Sequence, residues 1–339
     1  MMMKPKISVV MAVYCGGRYI EEQIKSILTQ SYPVDELILI EDSSPEPCVD
    51  AISRAAGIEI APDSEDRAKE LSGKGVNADI CREVSGISGH CIVRYFEHRE
   101  RKGYAQTFFD ALKLATGDFI FFSDQDDIWE RDKVAVCIKV LRSYPEITCL
   151  SAANILIDGK GREIGKDKRL LDRMIDVSTE DLIMQKHGAL RPGMSTVIRR
   201  SLKEKIDSMD ISEYEMHDRL IEYLAATEGG YKCISSYLAR YRIHDDNTSG
   251  MNLTHTKLRT GLGGRIEQID KELKYLKQIS GISDSDKRCI DKAIEYFDSR
   301  RKLLKNKNII KYIICSLRLL GRYSSKKVWL GDIAGILKG

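Results

Sequence analysis

The sequence predicts an α/β fold with a mostly parallel central sheet, followed by a helical extension. Two predominantly apolar runs, ISVVMAV at 7–13 and ELILI at 36–40, are typical of strands that are buried on both faces of a parallel sheet. Between them, Ile20, Ile24 and Ile27 recur at the spacing of one helix face. The order strand, helix, strand predicts a βαβ unit.

Later segments extend this pattern in the same order along the chain. Further strands are predicted at 91–97, 118–123, 147–158, 193–199 and 232–244, and helices at 105–112, 133–141 and 215–227. Gly117 follows the first of these helices and is predicted to end it as a C-terminal glycine.

Two segments of the chain depart from this regular alternation. From 43 to 90 the sequence is rich in Pro, Gly, Ser and charge, which predicts an insertion with a helical piece around 66–71. Beyond residue 250 the sequence reads as helical at 258–279 and 284–320. We therefore expect a first domain at 1–250 that contains the insertion, and a basic helical extension at 251–339.

Charge is distributed unevenly along the chain. The 339 residues carry a net charge of +3, but residues 300–339 contain eleven Lys or Arg against Asp332 alone. The tail therefore carries +10 and the first 299 residues −7. A basic tail suggests an anionic partner, and because no nucleic-acid-binding motif is present we expect a membrane surface rather than nucleic acid.

The segment IIKYIICSLRLL at 309–320 has two interpretations. At 12 residues it is too short to span a bilayer, but a basic amphipathic helix can lie among lipid headgroups. Alternatively, its isoleucines pack on the first domain while its basic residues face water. Both interpretations stay open.

Cysteine usage predicts a reducing compartment. Nine cysteines are scattered without a C-x-x-C pair or a histidine at zinc-like spacing, as expected of small buried residues in a cytoplasmic protein. The apolar run near the start ends by Val13, and a helical pattern follows at once, so we do not expect a signal peptide. Composition is that of a soluble globular protein, with peripheral membrane association through the tail as an added possibility.

Acidic residues cluster where two predicted strands end. Asp124, Asp126 and Asp127 follow the strand in FIFFSDQDDIW, and Asp42 follows ELILI. Carboxyl ends of parallel strands form the ligand crevice of α/β sheets. Like charges about 4 Å apart repel by about 4 kcal/mol at a dielectric constant near 20, so a cation is expected between them.

Asp124 and Asp126 lie two residues apart and point the same way in an extended segment. A few hard oxygen ligands suit magnesium or manganese bridging a phosphate, which predicts a metal–diphosphate site. The alternative is that these acids cap a helix beginning near Glu130, which explains one of them, Asp127, but not three.

Four stretches resemble glycosyltransferase family 2, the inverting enzymes of GT-A fold, and in particular its bacterial rhamnosyltransferase-like members. These are VVMAVYCGGRYIEEQIKSILTQSYPVDELILIEDSS, RKGYAQTFFDALKLATGDFIFFSDQDDIW, MHDRL and YRIHDDNTSG. The resemblance covers about 1–250, interrupted by the insertion. It implies a nucleotide-diphosphate sugar donor, a divalent metal, and a glycan or lipid-linked acceptor in surface polysaccharide synthesis.

The resemblance also implies roles for particular residues. Asp42 matches the acid that contacts the nucleotide base or ribose, and Asp124 and Asp126 match the D-x-D pair, with Asp126 the more direct metal ligand. His244 matches the histidine that approaches the metal or diphosphate. Asp218, in MHDRL, matches the catalytic base that deprotonates the acceptor.

Tyr14 and Gly103 are assigned to donor binding through the same resemblance, together with Asp124. Each implied role has a simpler alternative. Gly103 fits a turn glycine, and Asp218 fits a solvated helix residue among other charges. His217 is better interpreted as a supporting core histidine than as a ligand.

Three residues depart from the family pattern. Arg101 stands where relatives usually have Asn, and Arg219 and Leu220 stand where many have aromatic residues. These positions bear on sugar or acceptor recognition, so they affect the identity of the substrate more than the reaction. Two other functions remain open: a catalytically silent scaffold or membrane-associated binding protein, and a nucleotidyltransferase.

Overall fold

The computed structural model of the protein describes most of the first 244 residues and part of the remainder. The described residues are 4–58, 80–166, 174–183, 191–212, 214–244, 271–279, 282–305, 310, 313–314 and 333. The helical piece predicted around 66–71, most of the segment 309–320 and much of the helix predicted at 258–279 lie outside them.

Strands and helices alternate through the first half of the chain. In order they are β1 (Ile7–Val13), α1 (Ile20–Leu28), β2 (Glu36–Glu41), α2 (Val49–Ala56), β3 (Ile80–Ser88), β4 (Cys91–His98), α3 (Tyr104–Leu114), β5 (Phe119–Ser123), β6 (Ile128–Trp129) and α4 (Lys133–Ser143). Then follow β7 (Cys149–Asp158), β8 (Glu163–Lys166), β9 (Ile175–Asp176), α5 (Thr179–Ile183), a 3-10 turn (Gly193–Ser195), β10 (Thr196–Arg199), α6 (Arg200–Asp207), α7 (His217–Thr227), β11 (Tyr231–Ile243) and α8 (Asp284–Lys305).

The predicted βαβ unit is present at the centre of the fold. β1 pairs in parallel with both β2 and β5, so Val9 lies opposite Leu37 on one side and Phe121 on the other. All three side chains are fully buried, as predicted for strands covered on both faces. Helix α1 buries Ile20, Ile24 and Ile27 as its spacing predicts.

The sheet is mixed rather than mostly parallel, which corrects one part of the predicted fold. In the described ranges the sheet has eleven strands, which run in the order β3-β4-β2-β1-β5-β10-β7-β11-β6, with β8 pairing with β7 and β9 with β11. In the strand pairings described, β4, β2, β1 and β5 are joined in parallel, and β10 lies antiparallel between β5 and β7. Between residues 145 and 250 the sequence predicts three strands and one helix, at 215–227, and extended runs without a regular strand-helix alternation are compatible with either direction.

The segment from 43 to 90 contributes to the sheet. It contains α2 and also β3, which pairs antiparallel with β4 at the edge of the sheet. The sequence of β3, ICREVSGIS, mixes polar and apolar residues without a strong pattern, which is why the strand was missed.

Gly117 does not end the preceding helix. Helix α3 ends at Leu114, and Ala115 is already extended. The N–H of Gly117 donates to Ser8 Oγ at 2.7 Å, and a Cβ at this position would lie 2.4 Å from the same oxygen. Glycine is required here because the backbone approaches β1 closely.

The chain divides into two compact units by its internal contacts. The first comprises Met1–Asp176, Arg191–Ala225 and Gly229–Arg242, and it contains the central sheet. The second comprises Val177–Leu190, Ala226–Glu228 and Ile243–Gly339, and within it α5 contacts α8. The functional boundary near residue 250 stays a prediction. In the described part of the chain, no helix combines the length and apolarity needed to cross a bilayer.

Candidate functional site

The carboxyl ends of three parallel strands lie side by side at one edge of the sheet. Val13 at the end of β1 lies opposite Glu41 at the end of β2, and Met11 lies opposite Ser123 at the end of β5. The residues that follow these strands therefore start from one edge, where α/β proteins bind ligands.

The loops after β1 and β2 contain backbone strain. Cys15 and Ser43 have φ angles of 51° and 54°, in the left-handed region that non-glycine residues rarely adopt. Hydrogen bonds hold both loops: the Cys15 N–H donates to Ser44 Oγ at 2.9 Å, and Ser43 Oγ donates to the Arg99 carbonyl at 3.3 Å. Strain of this kind is concentrated at functional sites.

Gln125, the middle residue of the D-Q-D sequence, joins the loop after β5 to the loop after β1. Its Oε1 accepts a hydrogen bond from the Tyr14 N–H at 2.8 Å, and its Nε2 donates to the Tyr14 carbonyl at 2.8 Å. A Cβ on Gly16 would lie 2.5 Å from the same Oε1. The sequence analysis missed Gln125, although its position between two acids that point the other way indicates an inward side chain.

Replacing Gln125 with Ala is expected to lower the free energy of unfolding by about 1–2 kcal/mol, because both backbone polar groups of Tyr14 lose their partner. Because Tyr14 is a predicted donor contact and would no longer be fixed, we also expect nucleotide affinity to fall. Chemical denaturation and calorimetric nucleotide titration measure the two effects. An unchanged unfolding midpoint together with unchanged affinity would contradict the assigned role.

The three acids after β5 differ in their surroundings. Asp124 and Asp126 are partly exposed, whereas Asp127 is fully buried and its Oδ1 accepts the N–H of Arg242 at 2.8 Å. Helix α4 begins only at Lys133, so the alternative in which Asp127 caps a helix near Glu130 is wrong. Asp127 instead connects the D-Q-D loop to β11.

Electrostatics bring Asp218 into the same cluster as the acids after β5. Burial, followed by the negative charges of Asp126 and Asp218, raises the pKa of Asp124 above its usual range. Burial, then the charges of Asp126 and Asp124, likewise raises the pKa of Asp127. Because a bound cation would relieve this repulsion, the cluster favours cation binding.

Arg242 is almost fully buried and holds the D-Q-D loop, residues 124–126, through hydrogen bonds. Its Nε donates to the Asp126 carbonyl at 2.7 Å, and its terminal nitrogens reach the Asp158 carbonyl at 3.4 Å and Glu22 Oε2 at 2.7 Å. The guanidinium lies 4.4 Å from the ring centroid of Tyr19. Buried arginine with this many partners fixes the position of the backbone that carries the acids.

Lys133 places a second buried cation near the acids. Its Nζ donates to the carbonyl of Met194 and lies 4.0 Å from the ring centroid of Trp129. Burial lowers the pKa of this lysine to about 8, against the opposing attraction of Asp127 and Asp124. Lys133 therefore joins the acidic loop to the Gly193–Ser195 turn.

Asp218 lies in the first turn of α7, close to that same turn. A Cβ on Gly193 would lie 2.8 Å from His217 Nε2 and 3.4 Å from the Asp218 Cβ, so only glycine fits. The His217 ring stacks on Phe108 with centroids 4.0 Å apart, and burial lowers its pKa to about 4. A neutral imidazole in an aromatic pocket is a supporting core histidine, as predicted.

Asp42 is buried, and its oxygens bind groups of the protein itself. Oδ1 accepts the Lys102 N–H at 2.8 Å and lies 3.1 Å from His98 Nδ1, while Oδ2 accepts the Gly103 N–H at 2.8 Å. Gly103 has a φ of 84°, which explains the glycine as a turn residue before α3. The sequence analysis missed His98 and did not anticipate that Asp42 would organise this loop.

His244 follows β11 directly and belongs to the second compact unit. Its predicted approach to the metal stays a prediction. Among the side chains that the structure describes, no group of three His, Cys, Asp or Glu residues forms a ready-made metal site. Asp124 and Asp126 nevertheless supply hard, partly exposed oxygens, the donor set that suits magnesium or manganese with other ligands from water and phosphate.

Solved structures of other proteins have a similar fold. The Staphylococcus aureus protein TarS, residues 1–349, in complex with UDP aligns with a TM-score of 0.54 at 15% identity, covering 87% of this chain and 71% of that one. The mannosyltransferase PcManGT from Pyrobaculum calidifontis, in complex with GDP-Man and Mn²⁺, aligns with a TM-score of 0.54 at 16% identity, covering 99% and 86%. The fold is therefore that of the GT-A transferases.

Sequence comparisons identify similar proteins. Residues 78–206 match the family model described as Glycosyl transferase family 2. The dTDP-rhamnosyl transferase RfbG of Shigella flexneri is 26% identical over 293 residues, covering 81% of this chain and 84% of that protein. An uncharacterised glycosyltransferase of Nostoc sp. is 25% identical over 297 residues, covering 80% and 81%. These matches support a family 2 glycosyltransferase, which confirms the resemblance found in the sequence.

Proposed function

We propose that the protein is an inverting, metal-dependent glycosyltransferase that moves a hexose from a nucleotide-diphosphate donor to a glycan or lipid-linked acceptor. Rhamnose is the first donor sugar to test, because one relative is named as a dTDP-rhamnosyl transferase. We further propose a role in bacterial surface polysaccharide synthesis at the cytoplasmic face of the membrane. The basic tail would provide peripheral attachment there.

One observation supports this proposal most strongly. The charge of Asp218, on α7, contributes to the raised pKa of Asp124, which lies nearly one hundred residues earlier at the end of β5. The proposed catalytic base and the proposed metal-binding acids therefore share one electrostatic environment. A scaffold that does not catalyse transfer has no need to maintain this repulsion.

The chemistry requires two functions of these acids. The Asp218 carboxylate takes the proton of the acceptor hydroxyl as that oxygen attacks the anomeric carbon. The bond from this carbon to the diphosphate oxygen breaks, the diphosphate leaves with the electron pair, and one displacement inverts the centre. A divalent cation held by Asp124 and Asp126 would neutralise the charge that develops on the diphosphate.

Asp126→Asn is expected to reduce transfer about 100-fold and to weaken manganese binding, because the remaining oxygens no longer hold the cation. We would measure transfer and hydrolysis of dTDP-rhamnose, UDP-GlcNAc and GDP-mannose with Mn²⁺ and with EDTA. Asp132→Asn, an exposed acid six residues away, is the matched control.

The same panel separates the alternatives. Full activity of Asp126→Asn in EDTA would overturn the metal-dependent mechanism. Nucleotide binding without turnover of any donor would favour a catalytically silent scaffold. Release of pyrophosphate from a nucleoside triphosphate would indicate a nucleotidyltransferase, although the loop after β1 offers only Gly16, Gly17 and Arg18 for a phosphate.

A further inference from the structure

A buried histidine lies between two buried acids beside the proposed donor site. His98, the last residue of β4, has its Nδ1 3.1 Å from Asp42 Oδ1 and its Nε2 3.3 Å from Asp110 Oδ2. All three side chains are less than 5% exposed. The contact to Asp42 has hydrogen-bond geometry, whereas the contact to Asp110 is an ion pair.

This histidine connects four parts of the fold. Asp42 follows β2 and accepts the N–H groups of Lys102 and Gly103, which lie in the loop before α3. Asp110 lies within α3, which begins one residue after Gly103. His98 therefore ties the loop to the end of β2 and to the body of the following helix.

The same loop carries a side chain that covers a proposed nucleotide contact. The guanidinium of Arg101 lies 4.0 Å from the ring centroid of Tyr14. Since Gln125 fixes the backbone of Tyr14 and Asp42 fixes the residues after Arg101, the relative position of these two side chains depends on both anchors. A change at Gln125 or at Asp42 would therefore shift Arg101 and Tyr14 relative to each other and to a bound nucleotide.

Two buried carboxylates around one imidazole require a positive charge between them. Burial lowers the pKa of His98, but its contacts with the carboxylates of Asp110 and Asp42 outweigh burial, so the pKa is raised from its ordinary value. Burial raises the pKa of Asp42, but the bonds from His98, Lys102 and Gly103 outweigh it, so the net pKa is lowered. The imidazolium form with ionised acids is the consistent state.

Charged groups from three neighbouring segments face this centre: the end of β2, the loop before α3, and α3 itself. Asp42 approaches from β2 and Asp110 from α3. Lys102 Nζ, from the loop, lies 3.4 Å from Asp110 Oδ2, and Lys113 Nζ, from α3, lies 3.6 Å from Asp110 Oδ1. The two lysines share the charge of Asp110, so Asp42 depends on His98 alone for a buried cationic partner among these groups.

We propose that His98, as an imidazolium, is a positioning residue that holds Asp42 against the N–H groups of Lys102 and Gly103 and so fixes the loop that receives the donor nucleotide. The nucleotide role of the loop rests on the proposed function. The loop-holding role does not, and it is measurable without any ligand.

The pH dependence follows from the direction of the shift. A histidine whose pKa is raised by folding contributes stability that is fully present below its unfolded pKa. That contribution is lost as the pH rises through the folded value, so the loop should loosen on the alkaline side. Asp42 has the opposite dependence, because its stabilising contribution is lost only as the pH falls through its lowered pKa in acid.

The test compares His98→Gln with His90→Gln, an exposed histidine in the turn before β4. Hydrogen exchange of the Lys102 and Gly103 amides should be at least about tenfold faster in His98→Gln and unchanged in His90→Gln. In the unaltered protein, the same two amides should exchange faster as the pH rises and the His98 ring loses its proton, a titration that NMR follows. The exchange rates are first corrected for the intrinsic pH dependence of amide exchange. The dissociation constant of the nucleotide that binds best among UDP, GDP and dTDP should rise about tenfold in His98→Gln, with kcat within twofold.

Each possible result of these measurements either supports or overturns the proposed role of His98. Unchanged amide protection in His98→Gln, or in the unaltered protein while His98 loses its proton, would overturn the proposal. Should His98→Gln fail to fold, the titration of the unaltered protein still gives the answer. If no nucleotide binds the unaltered protein, the proposed function fails, while amide exchange continues to test the loop-holding role.

Discussion

Replacing Asp218 with Asn should reduce the rate of glycosyl transfer by about 10²–10⁴-fold, because the acceptor hydroxyl loses the group that removes its proton. The amide has nearly the same shape, and Asp218 is partly exposed in the first turn of α7, so folding should be preserved. Donor binding should change less than about threefold. Steady-state kinetics with saturating donor, together with calorimetric donor titration, would separate the two effects.

Glu215→Gln is the matched control for this variant. Glu215 is an exposed acid three residues earlier, and its substitution removes the same charge. A similar loss of rate in both variants would point to the net charge of the region rather than to a base. Full activity of Asp218→Asn would remove the mechanism proposed above.

Replacing Arg242 with Met should lower the free energy of unfolding by about 3 kcal/mol. The methionine keeps much of the buried volume, but the Asp126 and Asp158 carbonyls lose a charged donor and Tyr19 loses its stacked cation. Asp127 keeps its bond, since the backbone N–H of residue 242 remains. Denaturant unfolding followed by fluorescence and by circular dichroism would give the change in stability.

Arg240→Met provides the comparison on the same strand. Arg240 pairs with Glu130 at 2.7 Å, but both side chains are about one-third exposed, so this pair should contribute less than about 1 kcal/mol. An equal fall in the free energy of unfolding in the two variants would show that the buried contacts of Arg242 stabilise the fold no more than the exposed pair of Arg240. A donor affinity that falls only in Arg242→Met would support its role beneath the D-Q-D loop.

The central part of the fold could be predicted because local pattern and long-range packing agree there. β1 and α1 have strong apolar periodicity, and the strand-helix-strand order limits the possible topologies. β3 could not be predicted, since an edge strand is held by backbone pairing with β4 rather than by an apolar pattern of its own. Gly117 was misassigned because a glycine after a helix is ordinarily a cap, and its contact with Ser8 is a tertiary feature.

The residues of the candidate site also fall into those that could be predicted from the sequence and those that could not. Asp42, Asp124, Asp126 and Asp218 could be proposed because strand ends and family motifs mark them. The groups that hold them could not, because their partners are distant in sequence: His98 lies against Asp42, 56 residues away, and the Arg242 side chain donates to the carbonyl of Asp126, 116 residues away. Side chains of this kind become visible only when the fold brings their partners together.

The left-handed backbone at Cys15 and Ser43 has a practical consequence for engineering. Each non-glycine residue in that region costs about 1–2 kcal/mol, so glycine at Cys15 should make the protein harder to melt, whereas glycine at Ser43 would also remove the hydroxyl that donates to the Arg99 carbonyl. A selection for heat resistance would therefore accept such changes readily. It would also give the two turns conformational freedom that the native residues deny them, at the edge of the sheet where ligand binding is proposed.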